Sequence, residues 1–202
     1  MNNYFIVAKK YFYLTLTYFL FSLSANSQDA EVKHSSVKFE TNLQAGVLIG
    51  QKGSKPALNI NAVNGLKFDT WFTGIGVGID YYGLKPTVPL FVDVKKDLSE
   101  KVNTFFLFGD AGYDFPWLMN NQKPRYVNNY KAMGGLYYET GLGYKFRIFN
   151  ASHIGISASY SFKQLKEKYA QPCFWCENYI PPVELYNYMY RRLSIKFNWW
   201  LL

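Results

Sequence analysis

Residues 71–82, WFTGIGVGIDYY, alternate without a break. Trp71, Thr73, Ile75, Val77, Ile79 and Tyr81 fall on one face of an extended chain. Phe72, Gly74, Gly76, Gly78, Asp80 and Tyr82 fall on the other. A period of two is the mark of a strand with one apolar and one polar side. A helix would scatter these residues, and its three glycines would cost about 3 kcal/mol relative to alanine. This segment commits the chain to long β-strands.

The pattern recurs. Phe39 to Ile49, Leu136 to Phe146, Ile154 to Phe162 and Leu193 to Leu201 each carry apolar residues on alternate positions. Leu58–Phe68, Val88–Leu98 and Thr104–Phe115 repeat it more weakly. The result is eight predicted strands of roughly 10–13 residues. Soluble strands are usually 5–6 residues long, whereas a tilted membrane strand needs about 9–11. The predicted connections also alternate. Asp69-Thr70, Ser99–Val102 and Arg147–Ser152 are short. Gln51–Lys55, Gly83–Pro86, Pro116–Met133 and Gln164–Met189 are the other set, and its last two members are long. Short turns at one end and long loops at the other fit an all-β fold: a closed eight-stranded antiparallel up-and-down transmembrane β-barrel.

Aromatic residues make up 20% of the chain, more than one small core requires. They collect at the predicted strand ends. Tyr81, Tyr82, Tyr113, Tyr138, Tyr160 and Tyr190 mark an outer rim, and Trp71, Tyr144, Trp199 and Trp200 an inner one. Two such girdles suit the two membrane–water interfaces, where a ring can be buried and its OH or NH wet. The polar face carries glycines and both signs of charge. Glu40, Asp80, Asp93, Asp110 and Glu139 are expected to form an interior ion-pair network with Lys95, Lys145, Arg192 and Lys196. An eight-stranded interior is just wide enough for side chains to fill. The converse arrangement, a soluble lipocalin-like barrel with its apolar face inside, is the alternative.

The first 27 residues read as an address. Lys9-Lys10 precede the apolar run Tyr11–Leu23, and Ala25-Asn26-Ser27 follows with small residues where a signal peptidase reads. Removing 27 of 202 residues leaves 175. Residues 28–35 form a short periplasmic segment and 36–202 the barrel domain. No run approaches the ~20 apolar residues of a membrane helix.

Taken together, residues 36–202 resemble the small eight-stranded bacterial outer-membrane barrels, the OmpA/OmpX-like or porin-family barrel domains. The terminal strand, with Leu193, Ile195, Phe197, Trp199 and Trp200, looks like that family's C-terminal assembly signal. The resemblance implies a Gram-negative outer-membrane location. It also implies biogenesis through the barrel-assembly machinery and contact with outer-membrane lipids, including lipopolysaccharide.

Little points to chemistry. Some barrels of this kind modify lipid A with a histidine near the outer leaflet. His34 precedes the barrel, and His153 opens a strand at the periplasmic end, where it is expected to titrate near its ordinary value. No catalytic, cofactor or metal residue is assigned. Cys173 and Cys176 sit in the longest loop. A lone C-x-x-C lacks the second ligand pair of a structural zinc site. In an exported protein a local disulfide is expected, ahead of free thiols or a bound metal. Gly74-x-Gly76-x-Gly78 opens no helix, so it is no phosphate loop. It makes room for large interior neighbours instead.

The predicted outer loops and rim are basic. Lys131, Lys163, Lys166, Lys168 and Arg191 are among eleven cations there, against Asp114, Glu167, Glu177 and Glu184. Such a rim suits lipopolysaccharide phosphates, and nucleic acid is a poor partner for an exported barrel. The leading expectation is a non-enzymatic barrel with a structural or surface-loop binding role toward an extracellular or secretion-complex protein. The alternatives are a narrow pore or a transport accessory, a lipid A-modifying enzyme, and the soluble binder.

Overall fold

The computed structural model describes residues 37–51, 54–82, 85–117, 128–149, 152–170 and 183–201. The leader, residues 28–35, Cys173 and Cys176 lie outside the described residues.

Among the described residues nine strands follow one another: β1 (Lys38–Ile49), β2 (Ala57–Phe68), β3 (Trp71–Tyr82), β4 (Lys85–Asp97), β5 (Thr104–Pro116), β6 (Asn128–Met133), β7 (Gly135–Phe149), β8 (Ser152–Ala170) and β9 (Val183–Leu201). Eight of them close a barrel. β1 through β5 pair with their sequence neighbours, β5 pairs with β7, β7 with β8, and β8 with β9. The closing pair is β9 with β1, from Thr41↔Leu201 to Ile49↔Leu193. All pairings are antiparallel. Closure gives each barrel strand two neighbours and removes the sheet edge, as a hydrocarbon surround requires.

The register follows the turns. Asp69 takes a left-handed conformation, φ 52°, in the two-residue turn between β2 and β3, which aspartate tolerates better than most residues. This turn sets Phe68 opposite Trp71 and Leu58 opposite Tyr81. The β3–β4 ladder lapses between Val77↔Leu90 and Asp80↔Thr87. Pro89 lies in that gap and has no N–H to give.

Side-chain parity is inverted relative to a soluble barrel. Ile60, Ile75, Val92, Leu142, Ile156 and Leu193 point outward and are exposed, Ile75 at 66%. Asn42, Asp80, Asp93, Glu139 and Lys196 point inward and are buried, Asp80 at 0%. The lipocalin-like alternative requires the opposite.

Two predicted loops are partly strand. The segment Pro116–Met133 contains β6, and β8 and β9 run far into Gln164–Met189, each reaching 19 residues. A tilted crossing uses about half of that. The outer halves of β8 and β9 remain paired up to Ala170↔Val183. β6 joins β8 along Met133↔Lys166 to Asn128↔Ala170, continuing the edge begun by β7 after Gly134. A three-stranded sheet, β6-β8-β9, therefore projects from the long-loop end.

Candidate functional site

A hydrogen-bonded network to which every barrel strand contributes runs through the interior. Near the long-loop end, Lys163 of β8 is ion-paired with Asp80 of β3. Asn59 of β2 donates to Asp80 and, at 3.0 Å, to Asn61 Oδ1. Asn61 Nδ2 donates to Gln44 Oε1 of β1 at 3.2 Å. Lys196 Nζ of β9 reaches the same Gln44 oxygen at 3.4 Å and pairs with Glu139 Oε1 of β7 at 2.6 Å. Ser159 Oγ also donates to Glu139 Oε1, at 2.6 Å. Tyr137 OH lies 3.0 Å from Glu139 Oε2 and 3.3 Å from Asp110 Oδ2 of β5. A branch runs from Gln44 through Asn42 to Lys95, which is ion-paired with Asp93 on the same strand, β4. Charges taken out of water need this degree of pairing and hydrogen bonding.

Aromatic rings fill the remaining space. Phe91 packs edge-on against Tyr137, with centroids 5.3 Å apart, and Phe106 against Trp200 at 5.4 Å. Glycines make the room. A Cβ on Gly76 would meet the Phe91 ring, one on Gly143 the Phe106 ring, and one on Gly155 the Trp200 indole. Ammonium groups lie over ring faces, Lys163 at 4.4 Å from the Tyr137 centroid and Lys145 at 5.5 Å from Trp200. At the short-turn end a cavity of about 420 Å³ is lined by Glu40, Lys67, Asp97, Lys145, Arg147 and His153, among others. There Asp97 takes Lys145 at 2.6 Å and Lys67 at 2.8 Å.

The structure corrects several sequence-based placements. Arg192 makes no carboxylate pair among the described residues. Its guanidinium donates to the Lys55 carbonyl at 2.8 Å and the Leu48 carbonyl at 3.3 Å, and it lies 4.9 Å from the Tyr82 ring centroid. Tyr82, Tyr190 and Trp200 are not girdle residues. They share the parity of Asp80 and Lys196 and face inward, with Tyr82 stacked on Tyr190 at 4.9 Å and Trp200 only 2% exposed. Trp71, Tyr81, Tyr113, Tyr138, Tyr144, Tyr160 and Trp199 face outward. Lys163, counted with the basic rim, is 1% exposed and belongs to the interior. Its parity on β8, shared with Ser157, Ser159 and Ser161, was the signal for this. Glu40 is buried as expected, close to Lys67, Lys145 and Lys95 rather than in a direct pair. His153 is the second residue of β8, ahead of that strand's outward apolar series from Ile154, and lines the short-turn cavity. Burial, together with the positive charges of Lys145 and Arg147, pushes its imidazole down to about 4 instead of leaving it near its ordinary value.

The projecting sheet has two different faces. Inward lie Tyr130, Leu165, Glu167, Tyr186, Tyr188 and Tyr190. The rings of Tyr186, Tyr188 and Tyr190 stack along β9 at 6.4 Å intervals. Tyr130 OH donates to Glu167 Oε1 at 3.0 Å. Partial burial and that carboxylate raise the Tyr130 phenol above its ordinary range and keep it a donor. Outward lie Lys131, Lys166, Lys168, Leu185, Met189 and Arg191.

No protein-family model and no curated relative matches the sequence. Solved structures do match. OprG, an outer membrane protein of Pseudomonas aeruginosa, superposes with a TM-score of 0.51 at 10% identity, over 83% of this chain and 96% of its own. Neisserial surface protein A (NspA) superposes with a TM-score of 0.52 at 8% identity, over 84% of this chain and 99% of its own. At such identity the likeness is one of fold, the small outer-membrane β-barrel.

Proposed function

We propose that the protein is a non-catalytic integral barrel of the bacterial outer membrane whose projecting sheet presents a binding surface to the outside. The observation that carries this reading is the filled interior. The interior network, with Phe91, Tyr137, Phe106 and Trp200 between its charges, occupies the middle of the barrel. The work of the molecule then falls to what extends beyond the wall. The inward face of β9 offers three stacked tyrosines, and tyrosine gives contact area at low entropic cost. Export by the leader and insertion by the barrel-assembly machinery belong to the same reading.

The test uses the refolded mature protein. It should migrate faster unboiled than boiled on a denaturing gel, and solubility without detergent and without this shift overturns the membrane reading. In planar bilayers no steps of nanosiemens size are expected, and such steps overturn the filled-lumen argument. Lipid A from a deletion strain should keep its mass spectrum, and an altered spectrum overturns the non-catalytic assignment.

A further inference from the structure

The outward face of the projecting sheet continues the lipid-facing wall but changes its chemistry. On β8 the outward series runs Ile156, Ala158, Tyr160, Phe162, Gln164, Lys166, Lys168. On β9 it runs upward from Leu193 through Arg191, Met189, Asn187 and Leu185. Hydrocarbon-facing residues give way to an aromatic level and then to cations. Lys166 stands four residues beyond Phe162, roughly 10 Å above that aromatic level for a strand tilted by about 40°. From there the four-carbon stem of a lysine can reach back toward the headgroup layer, which is about 5–7 Å thick on each side.

Three features of this face need a partner. First, Lys131 of β6 and Lys168 of β8 sit directly opposite each other in the ladder, and both are exposed. Like charges so placed destabilise a sheet. Second, among the described residues no acidic side chain shares this face. Glu167, adjacent in sequence to two of the lysines, turns inward to Tyr130. Third, Leu185 and Met189 stand exposed among the cations, at 62% and 55%. Exposed apolar groups interleaved with uncompensated cations suit the boundary between acyl chains and phosphate groups. The short-turn end differs, since Asp69 and Glu100 there accompany Lys101 and Arg147.

We infer that Lys131, Lys166 and Lys168 form a binding site for the phosphate groups of an outer-leaflet lipid, with Met189, one rung pair nearer the membrane opposite Gln164, against the start of its acyl region. The inference rests on the membrane reading above and names the lipid class that this surface takes. It also accounts for the opposed lysines, whose repulsion a phosphate placed between them would cancel.

The experiment is native mass spectrometry of the refolded mature barrel in neutral detergent, titrated with lipid A and, separately, with the same lipid A dephosphorylated. Wild type should retain phosphorylated lipid on the order of tenfold or more better than the dephosphorylated form. The triple variant K131Q/K166Q/K168Q should lose that preference, while K101Q at the opposite end keeps it. The single variant Lys168→Gln, which removes one of the two opposed charges, should reduce the preference and serves if the triple variant does not refold. Equal retention of the two lipids by wild type overturns the inference, as does an unchanged preference in the lysine variants. Full displacement of the lipid by millimolar inorganic phosphate also overturns it, because the site would then bind free anions. A variant that keeps its gel shift while losing the lipid preference bears on this site alone, whereas loss of the shift in wild type strikes the membrane reading.

Discussion

Lys196 of β9 and Glu139 of β7 meet at 2.6 Å across the interior, past the intervening strand β8. Both are about 1% exposed, and Ser159 and Tyr137 satisfy the rest of the carboxylate. Removing one partner leaves an uncompensated buried charge. Lys196→Met should therefore cost about 3–5 kcal/mol, and the double variant with Glu139→Leu should recover much of the loss. Urea midpoints of the refolded barrel in detergent micelles measure both. A double variant as unstable as the worse single one would show that the pair is not an isolated unit.

Gly76 faces the ring of Phe91 so closely that any side chain must displace it. Gly76→Val is expected to destabilise by about 1–3 kcal/mol through overpacking. Adding Phe91→Ala should relieve part of this, because the space the valine needs is the space the ring occupies. Additive losses in the same urea assay would place the strain elsewhere.

Ile75 lies mid-strand on the outward face and is 66% exposed. In water an exposed isoleucine tolerates replacement by arginine. At the middle of a bilayer the same change costs about 2–4 kcal/mol. Ile75→Arg should lower the yield of folded barrel in phospholipid vesicles, whereas Lys101→Arg, in the turn before β5, should leave it unchanged. Equal folding yields would argue that β3 does not face hydrocarbon.

His153 is held at about pKa 4 by burial and by Lys145 and Arg147. Above about pH 6.5 the imidazole is neutral in both folded and unfolded chains. Between 6.5 and 4 only the unfolded chain takes up the proton. Stability should fall as pH drops through that window and level off below it. His153→Gln should flatten this part of the profile, read as urea midpoint against pH. An identical profile in the variant would mean that other groups set the slope.

The strands and their two faces were legible because period two is a local property. Trp71–Tyr82 needed only its own residues to put Ile75 and Asp80 on opposite faces, and the aromatic rims and paired charges of the whole chain to say which face is outward. Where residue type was weighed above parity, the reading failed. Tyr82, Tyr190 and Trp200 looked like belt aromatics, and their parity placed them inside with Arg192 and Lys145. Lys163 looked like a rim cation, and the same rule buried it. The extension of β8 was hidden for a related reason. Above the lipid the outward positions hold Lys166 and Lys168 while the inward ones hold Leu165 and Glu167, so the apolar–polar contrast that marks a membrane strand is lost.

By itself, then, the sequence determined the strand count of the barrel, its alternation, and which residues share a face, because each depends on neighbours one or two positions away. Only the tertiary structure decided which charge meets which. Lys163 with Asp80 and Lys196 with Glu139 are joined by barrel closure, which brings non-adjacent strands to a common axis. The pairing of β6 with β8, and with it the opposed Lys131 and Lys168, likewise depends on a register between segments more than thirty residues apart. No local period encodes such a register.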